Sequence, residues 1–219
     1  MSDSTSTSTS LADLRQDYKL GELDESSVHA DPVEQFRRWF DEASVSQIVE
    51  PNAMIVSTVS ADGAPSSRTV LLKGYGADGF QFYSNYGSQK GQDLVANDRI
   101  AVIFYWGELE RQVRIDGIAQ RLDRATSLAY HQSRPRKSQI SALASRQTQP
   151  MADRAELDAA FAETEREVGD SDVPLPEDWG GYLVVPHRFE FWQGRRSRRH
   201  DRVTYDRREG GWEIGRLAP

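Results

Sequence analysis

The sequence predicts a mainly β fold with flanking helices, its strands closing into a barrel. Three observations predict it. Short β-branched and aromatic runs recur between glycine-rich turns from residue 53 onward. Helical segments lie in a stretch before them, in one short helix between them and in one longer insertion. With 219 residues and no cysteine, the chain is long enough to bury a substantial core without disulfides. The absence of thiols also excludes thiolate metal sites and thiol catalysis and suits a reducing compartment, so a cytoplasmic location is expected.

Residues 1 to 10, a Ser/Thr repeat, read as a disordered tail, and 11–219 as one domain. No window approaches a membrane span, and no apolar segment resembles a secretory signal. Leu11 to Leu20 reads as a short helix carrying Arg15 and Tyr18. Asp31-Pro32 supplies a cap and a first-turn proline for a second helix bearing Phe36, Trp39 and Phe40. Met54 to Val59 and Ser67 to Lys73 then form a hairpin around Ala61-Asp62-Gly63, and Phe80 to Tyr83 follows a glycine-rich turn. Ser88 is placed to cap a short helix ending at Ala96. Ile100 to Trp106 and Arg111 to Gln120 read as two further strands. Asp123 to Gln132, Ser138 to Ser145 and Ala152 to Val168 read as an inserted helical segment over about 123–168, the last helix with Leu157, Phe161 and Val168 on one face. After Pro174-Leu175-Pro176, strands return at Tyr182 to Val185, Arg188 to Trp192, Arg202 to Tyr205 and Trp212 to Ile214.

The formal net charge is −7, yet Trp192 to Arg202 holds five arginines and a histidine. Guanidinium forks concentrated this way repel one another unless an anion is expected. Nucleic acid and a phosphorylated small molecule are the two candidates, and the acidic balance of the chain favours the second. No RRM, KH or zinc-finger signature accompanies the run, which leaves a nucleic-acid-binding module as the distant alternative. Arg68, Lys73 and Lys90 form another cationic set, with Lys90 in the first turn of a helix whose N-terminus offers free N–H groups. The same three residues also read as solvated surface charges. Strict alternation puts Arg68 and Lys73 on opposite faces, so they share a site only if Lys73 lies past the strand's regular end or at a bulge. Tyr130, Arg134, Arg136 and Ser138 suit a phosphate monoester, or equally an ordinary charged helix end. Gln112, polar in an apolar strand, pairs either with backbone or with a heteroaromatic ring. His29, His131, His187 and His200 lack metal-ligand spacing, so no metal is expected.

Several segments together resemble the pyridoxamine 5′-phosphate oxidase family. They are Arg68-Thr69-Val70-Leu71-Leu72-Lys73, Phe82-Tyr83-Ser84-Asn85, Leu109-Glu110-Arg111-Gln112-Val113, Ser133-Arg134-Pro135-Arg136, Trp179-Gly180-Gly181-Tyr182, Glu190-Phe191-Trp192-Gln193-Gly194, Arg198-Arg199-His200-Asp201-Arg202 and Arg216-Leu217-Ala218-Pro219. The resemblance runs from about Arg15 to Pro219. It implies an FMN-binding split β-barrel working as a homodimer, with FMN at the subunit interface. It assigns Arg68, Lys73, Tyr83, Ser84, Lys90, Gln112, Gln147, Thr148, Trp192 and Arg202 to FMN. Gln89 joins that set as a departure, since relatives often carry arginine there. The substrate phosphate falls to Lys73, Tyr130, Arg134 and Ser138, with Arg198 and His200 as the catalytic pair over the pyridine ring. Arg15 and Tyr18 match a segment that can close over substrate. Arg199 stands where relatives are often apolar. The implied reaction oxidises pyridoxamine 5′-phosphate or pyridoxine 5′-phosphate to pyridoxal 5′-phosphate, oxygen being reduced to hydrogen peroxide. The competing expectation is a split-barrel FMN-binding protein with other redox chemistry or a ligand-carrier role.

Overall fold

The computed structural model describes residue 10 and residues 17–219. The tail expected at 1–10 and the first part of the helix expected at Leu11–Leu20 lie outside the described residues, apart from Ser10. Residues 17–20 are not helical, which corrects the end of that helix. They run as an extended strap whose backbone N–H groups bond to a distant side chain instead of to one another.

Helix α1 (Pro32–Val45) begins as the sequence requires. The Asp31 carboxylate accepts from Val33 N at 2.8 Å, and proline occupies the first turn, where no N–H is needed. Its buried face carries Phe36, Trp39 and Ala43 at helical spacing. Phe36 is fully buried, with its ring 4.9 Å from those of both Phe80 and Phe104. One helix thereby plugs the aromatic core of the sheet.

The strands are β1 (Ala53–Val59), β2 (Pro65–Leu71), β3 (Gly74–Gly76), β4 (Gly79–Asn85), β5 (Arg99–Trp106), β6 (Arg111–Arg121), β7 (Trp179–Gln193), β8 (Asp201–Arg208) and β9 (Gly211–Arg216). They form one sheet in the order β2-β1-β5-β6-β7-β4-β3, with β8 and β9 continuing from β7. All pairings are antiparallel. The sheet curls until its ends meet. Lys73 N, just past β2, donates to Gln81 O on β4 at 2.8 Å. The enclosed face buries Val56, Phe82, Val102, Val113, Ile115 and Phe191 completely. The chain is thus a curled split barrel with flanking helices.

Strand β7 differs from expectation. Two strands were expected, at Tyr182–Val185 and Arg188–Trp192; Pro186, which cannot donate to a ladder, lies between them. A single fifteen-residue strand forms. The register against β6 shifts between Asp116 and Gly117, so that Pro186 faces Gly117, Arg188 faces Asp116 and His187 is the extra residue. This bulge accommodates the proline without ending the strand. It also requires glycine, since a Cβ on Gly117 would lie 2.6 Å from Val185 O. One edge of β7 is paired first with β4, over Trp179–Val184, and then with β8, over Arg188–Gln193.

Helix α2 (Gln89–Ala96) follows β4, and α3 (Arg124–Ser133), α4 (Arg136–Ala144) and α5 (Arg154–Val168) lie between β6 and β7. Leu157, Phe161 and Val168 of α5 are only half-buried, and nothing on that helix is fully buried. No described helix is long and apolar enough to cross a membrane.

Candidate functional site

A cavity of about 650 Å³ opens between β2, β4, α2, α3 and the segment at Gln147-Thr148. It gathers ten of the expected residues. Arg68 and Lys73 come from β2 and its exit, and Tyr83 and Ser84 from β4. Gln89 and Lys90 come from α2, Tyr130 and Arg134 from α3 and its end, and Gln147 and Thr148 from the loop after α4. The conflict between Arg68 and Lys73 resolves because β2 ends at Leu71. Lys73 lies beyond the alternating part of the strand and turns to the same cavity.

Helix α2 reaches the cavity with its N-terminus. Ser88 stands at the cap position but makes no capping bond with its side chain. The first N–H, that of Gln89, goes instead to Thr148 Oγ1 at 2.8 Å. Thr148 holds a left-handed backbone with φ 68°, a conformation costly for a β-branched residue and characteristic of functional positions. Lys90 is buried among neutral oxygens only. Its Nζ donates to Gln147 Oε1 at 2.7 Å, Ser84 Oγ at 2.9 Å and Ser88 Oγ at 3.2 Å. Burial, and then the neighbouring Arg68 charge, pull its pKa down to about 8.

Arg68 is braced from behind. It donates to Thr58 Oγ1 and to Ser66 Oγ, each at 2.7 Å. The Thr58 hydroxyl donates in turn to the buried Asp93 carboxylate at 2.6 Å, and the Gln89 amide donates to the other Asp93 oxygen at 2.8 Å. Gln89, the departure noted in the sequence, is therefore tied to Asp93 from the cavity wall.

The opposite wall is aromatic. Tyr83 stacks on Tyr130 at 3.8 Å and on Trp179 at 5.6 Å. The Arg134 guanidinium lies 4.9 Å from the Trp179 ring centre, and its Nη1 is buried without a hydrogen-bond partner. Burial lowers the pKa of Arg134, and it does the same to fully buried His131, whose two ring nitrogens are also unpartnered. Ser138 lies in the first turn of α4, with its N–H on Pro135 O, and is not among the residues lining this cavity.

The other expected residues form a second cluster where β7 meets β8. Trp192 lies 4.6 Å from His200, and the Tyr18 ring packs edge-on against both, at 5.7 and 5.6 Å. His200 Nδ1 accepts from Arg195 N at 3.1 Å, which leaves the proton of the neutral ring on Nε2. Burial, and then the Arg198 charge, hold the His200 pKa below the usual imidazole range. Ser197 and Arg198 both have left-handed backbones, with φ 56° and 58°. Arg202 is paired with Glu190 at 2.8 Å, and Gln112 stands opposite Trp192 in the β6–β7 register. Beside this cluster a cleft of about 670 Å³ is lined by Tyr18 to Glu22 and by Arg195, Arg196 and Arg199. Arg15 lies outside the described residues.

Within one chain these two clusters stay apart. Trp179 and Trp192 occupy opposite ends of β7, a path of about 40 Å along an extended strand. The resemblance placed these residues at a site between subunits, and sequence reasoning did not name Trp179, Thr58 or Asp93 among them. Trp179 was visible as the start of the Trp-Gly-Gly-Tyr segment. Asp93 had no signal beyond being an acid on the helix that carries Lys90.

Residues 40–166 match the family model described as pyridoxamine 5′-phosphate oxidase, and residues 179–219 match that described as the pyridoxine 5′-phosphate oxidase C-terminal dimerisation region. A pyridoxine/pyridoxamine 5′-phosphate oxidase of Bordetella petrii is 54% identical over 212 residues, covering 96% of this chain and all of that one. Its namesake in Rubrobacter xylanophilus is 51% identical over 209 residues, covering 95% and 96%. Among solved structures, PhzG from Burkholderia lata, in complex with tetrahydrophenazine-1-carboxylic acid, is similar with a TM-score of 0.85 and 28% identity, covering 91% of this chain and 99% of that one. A pyridoxamine 5′-phosphate oxidase-related, FMN-binding protein of Nostoc punctiforme shares the fold, with a TM-score of 0.68 and 17% identity over 84% and 97%.

Proposed function

Because the chain belongs to the pyridoxamine 5′-phosphate oxidase family, a family of FMN-dependent oxidoreductases, we propose that it oxidises the 4′ carbon of pyridoxamine 5′-phosphate or pyridoxine 5′-phosphate to the aldehyde of pyridoxal 5′-phosphate, with oxygen as the final acceptor and hydrogen peroxide as its product. The observation that carries the reading is a pair of buried cationic groups without counter-charge. Lys90 Nζ meets only neutral oxygens, and the buried Arg134 Nη1 has no hydrogen-bond partner. A buried charge of this kind costs stability unless an anion arrives to pair with it.

The donor set fits FMN. Arg68, Lys90, Ser84, Gln147 and Thr148 provide charge and hydrogen bonds for its phosphate at the end of the cavity reached by α2. Lys73, Tyr130 and Arg134 are left for the phosphate of the substrate, with Ser138 nearby on α4. When bound, the flavin supplies the two-electron acceptor. The protein is left with placing the 4′ carbon and managing charge and water.

Arg198 and His200 orient the pyridine ring in this reading, and neutral His200 presents Nε2–H as a donor. Tyr18 closes over that side. Since one chain holds the two clusters at opposite ends of β7, a complete site takes Trp192, His200 and Arg202 from one subunit and the cavity from its partner. The C-terminal match to a dimerisation region supports a homodimer built this way. The cysteine-free composition suits work in the cytoplasm.

A second reading has the same flavin fold acting on another ligand. It is favoured by the likeness to PhzG, whose bound molecule is tetrahydrophenazine-1-carboxylic acid. Anaerobic addition of pyridoxamine 5′-phosphate to the FMN-loaded protein, followed by air, separates the two. Bleaching of the flavin absorbance, then recovery with aldehyde and peroxide, supports the oxidase. Bound flavin that never bleaches overturns it in favour of the second reading.

A further inference from the structure

Glu110 ends the 3-10 turn Gly107–Leu109 with a left-handed backbone, φ 55° and ψ 37°. Its peptide oxygen accepts from Gly194 N at 2.8 Å and from the Gln193 amide at 3.2 Å, which locks the residue to the end of β7. That leaves its carboxylate free to face the strap. Oε2 accepts from Lys19 N at 2.7 Å and from Leu20 N at 2.9 Å. One ionised oxygen thereby holds two consecutive backbone N–H groups that belong to no helix or sheet. Charge-assisted bonds of this kind are among the stronger ones available to a surface segment. The residue immediately before those amides is Tyr18.

The seat for Tyr18 is shaped to match. A Cβ on Gly194 would lie 2.7 Å from Tyr18 Cγ, so the ring rests directly on the backbone next to the peptide that Glu110 holds. From there it packs against Trp192 and His200. Further along the strap, Leu23 N bonds to the Asp201 carboxylate at 3.1 Å, and Glu22 pairs with Arg195 at 2.9 Å. Those contacts fasten the later part of the strap, and Glu110 takes the backbone hydrogen bonds of the part next to Tyr18.

We propose that Glu110 is a positioning residue, whose carboxylate pins the backbone of residues 19 and 20 and so seats the Tyr18 ring against His200 and Trp192. Its effect on ligand binding rests on the function proposed above.

The test uses FMN-loaded protein and the variants Glu110→Ala, Glu110→Gln and Tyr18→Ala. Amide hydrogen exchange at Lys19 and Leu20 is expected to accelerate about tenfold or more in Glu110→Ala, and less in Glu110→Gln, which keeps one acceptor oxygen. Unchanged exchange in Glu110→Ala overturns the proposal, and Glu110→Gln decides it if the alanine variant does not fold. For pyridoxal 5′-phosphate, affinity is expected to fall about tenfold in Glu110→Ala with FMN affinity unchanged. The double variant with Tyr18→Ala is expected to bind no more weakly than Tyr18→Ala alone. Additive losses in the double variant overturn the link to Tyr18. If the parent protein does not bind pyridoxal 5′-phosphate, the proposed function fails, while the exchange rates still decide the role of Glu110.

Discussion

Raising the pH from 7 to 9 is expected to weaken FMN binding to the apoprotein by about tenfold, through Lys90 alone. The ammonium of Lys90 has its pKa lowered to about 8 because burial and the Arg68 charge disfavour its charged form. About nine-tenths of the molecules carry that charge at pH 7 and about one-tenth at pH 9. If the phosphate binds only when Lys90 is protonated, affinity follows that fraction, a loss of about 1.4 kcal/mol. The ligand does not confound the window, since the second phosphate pKa lies near 6 and the dianion is already formed at pH 7. Arg68 remains charged throughout. The assay is fluorescence quenching during titration of apoprotein with FMN, beside riboflavin, which has the same ring and no phosphate. FMN affinity should fall across the window while riboflavin affinity stays level, and Lys90→Met should weaken FMN binding at pH 7 and abolish the step. Parallel profiles for the two flavins, or a step that survives in Lys90→Met, would refute the reasoning. The same shift affects stability. Folded apoprotein releases this proton near pH 8, whereas the unfolded chain holds it to about 10.5, so the contribution of Lys90 to stability rises between those values and is lowest below pH 8.

Arg134→Ala should raise KM for pyridoxamine 5′-phosphate at least about tenfold and leave kcat within about twofold, because it removes a contact to a part of the substrate that does not react; steady-state kinetics showing an unchanged KM would remove Arg134 from the phosphate site. His131→Phe should stabilise the fold by about 1 kcal/mol, since it removes two buried ring nitrogens that have no partner. The folded pKa of His131 lies below its ordinary 6.5, so the parent loses stability as pH falls through and below that value, and the gain in the variant should be larger at pH 5.5 than at 7.5 by denaturant unfolding. Gly117→Ala should lower stability by about 1–3 kcal/mol, measured as a reduced thermal midpoint, because its Cβ would strike Val185 O at 2.6 Å and backbone cannot yield as a side-chain tip can.

Local chemistry made much of the fold legible. The Asp31 cap with Pro32 located α1, and alternation with β-branched residues located β1, β5 and β6 within a residue or two. Reasoning from single residues failed where a partner strand decided the outcome. Pro186 argues for a break in β7, and only the shifted register opposite Asp116 and Gly117 removes the argument. The cations of the candidate site were legible as anion-binding types that read equally as surface charges, the resemblance grouped them into one site, and Lys73 reached the cavity by the route that alternation required. Its division between subunits was expected from the resemblance and not from the residues, because nothing in the spacing of Trp179 and Trp192 reveals that one unbroken strand separates them. The role of Asp93 was hidden for a related reason. One of its carboxylate oxygens accepts from Thr58, thirty-five positions away, across a contact that only folding creates.

The length of β7 has a genetic consequence. If each site draws its cavity from one subunit and its His200 cluster from the other, a chain with Lys90→Met and a chain with His200→Ala are each impaired alone, yet they are defective in different halves. Random pairing of equal amounts makes about half the dimers mixed, and each mixed dimer pairs two intact halves in one of its two sites, so about a quarter of all sites are restored. Two loss-of-function alleles of the same gene would then rescue each other in one cell, whereas two alleles damaged in the same half would not.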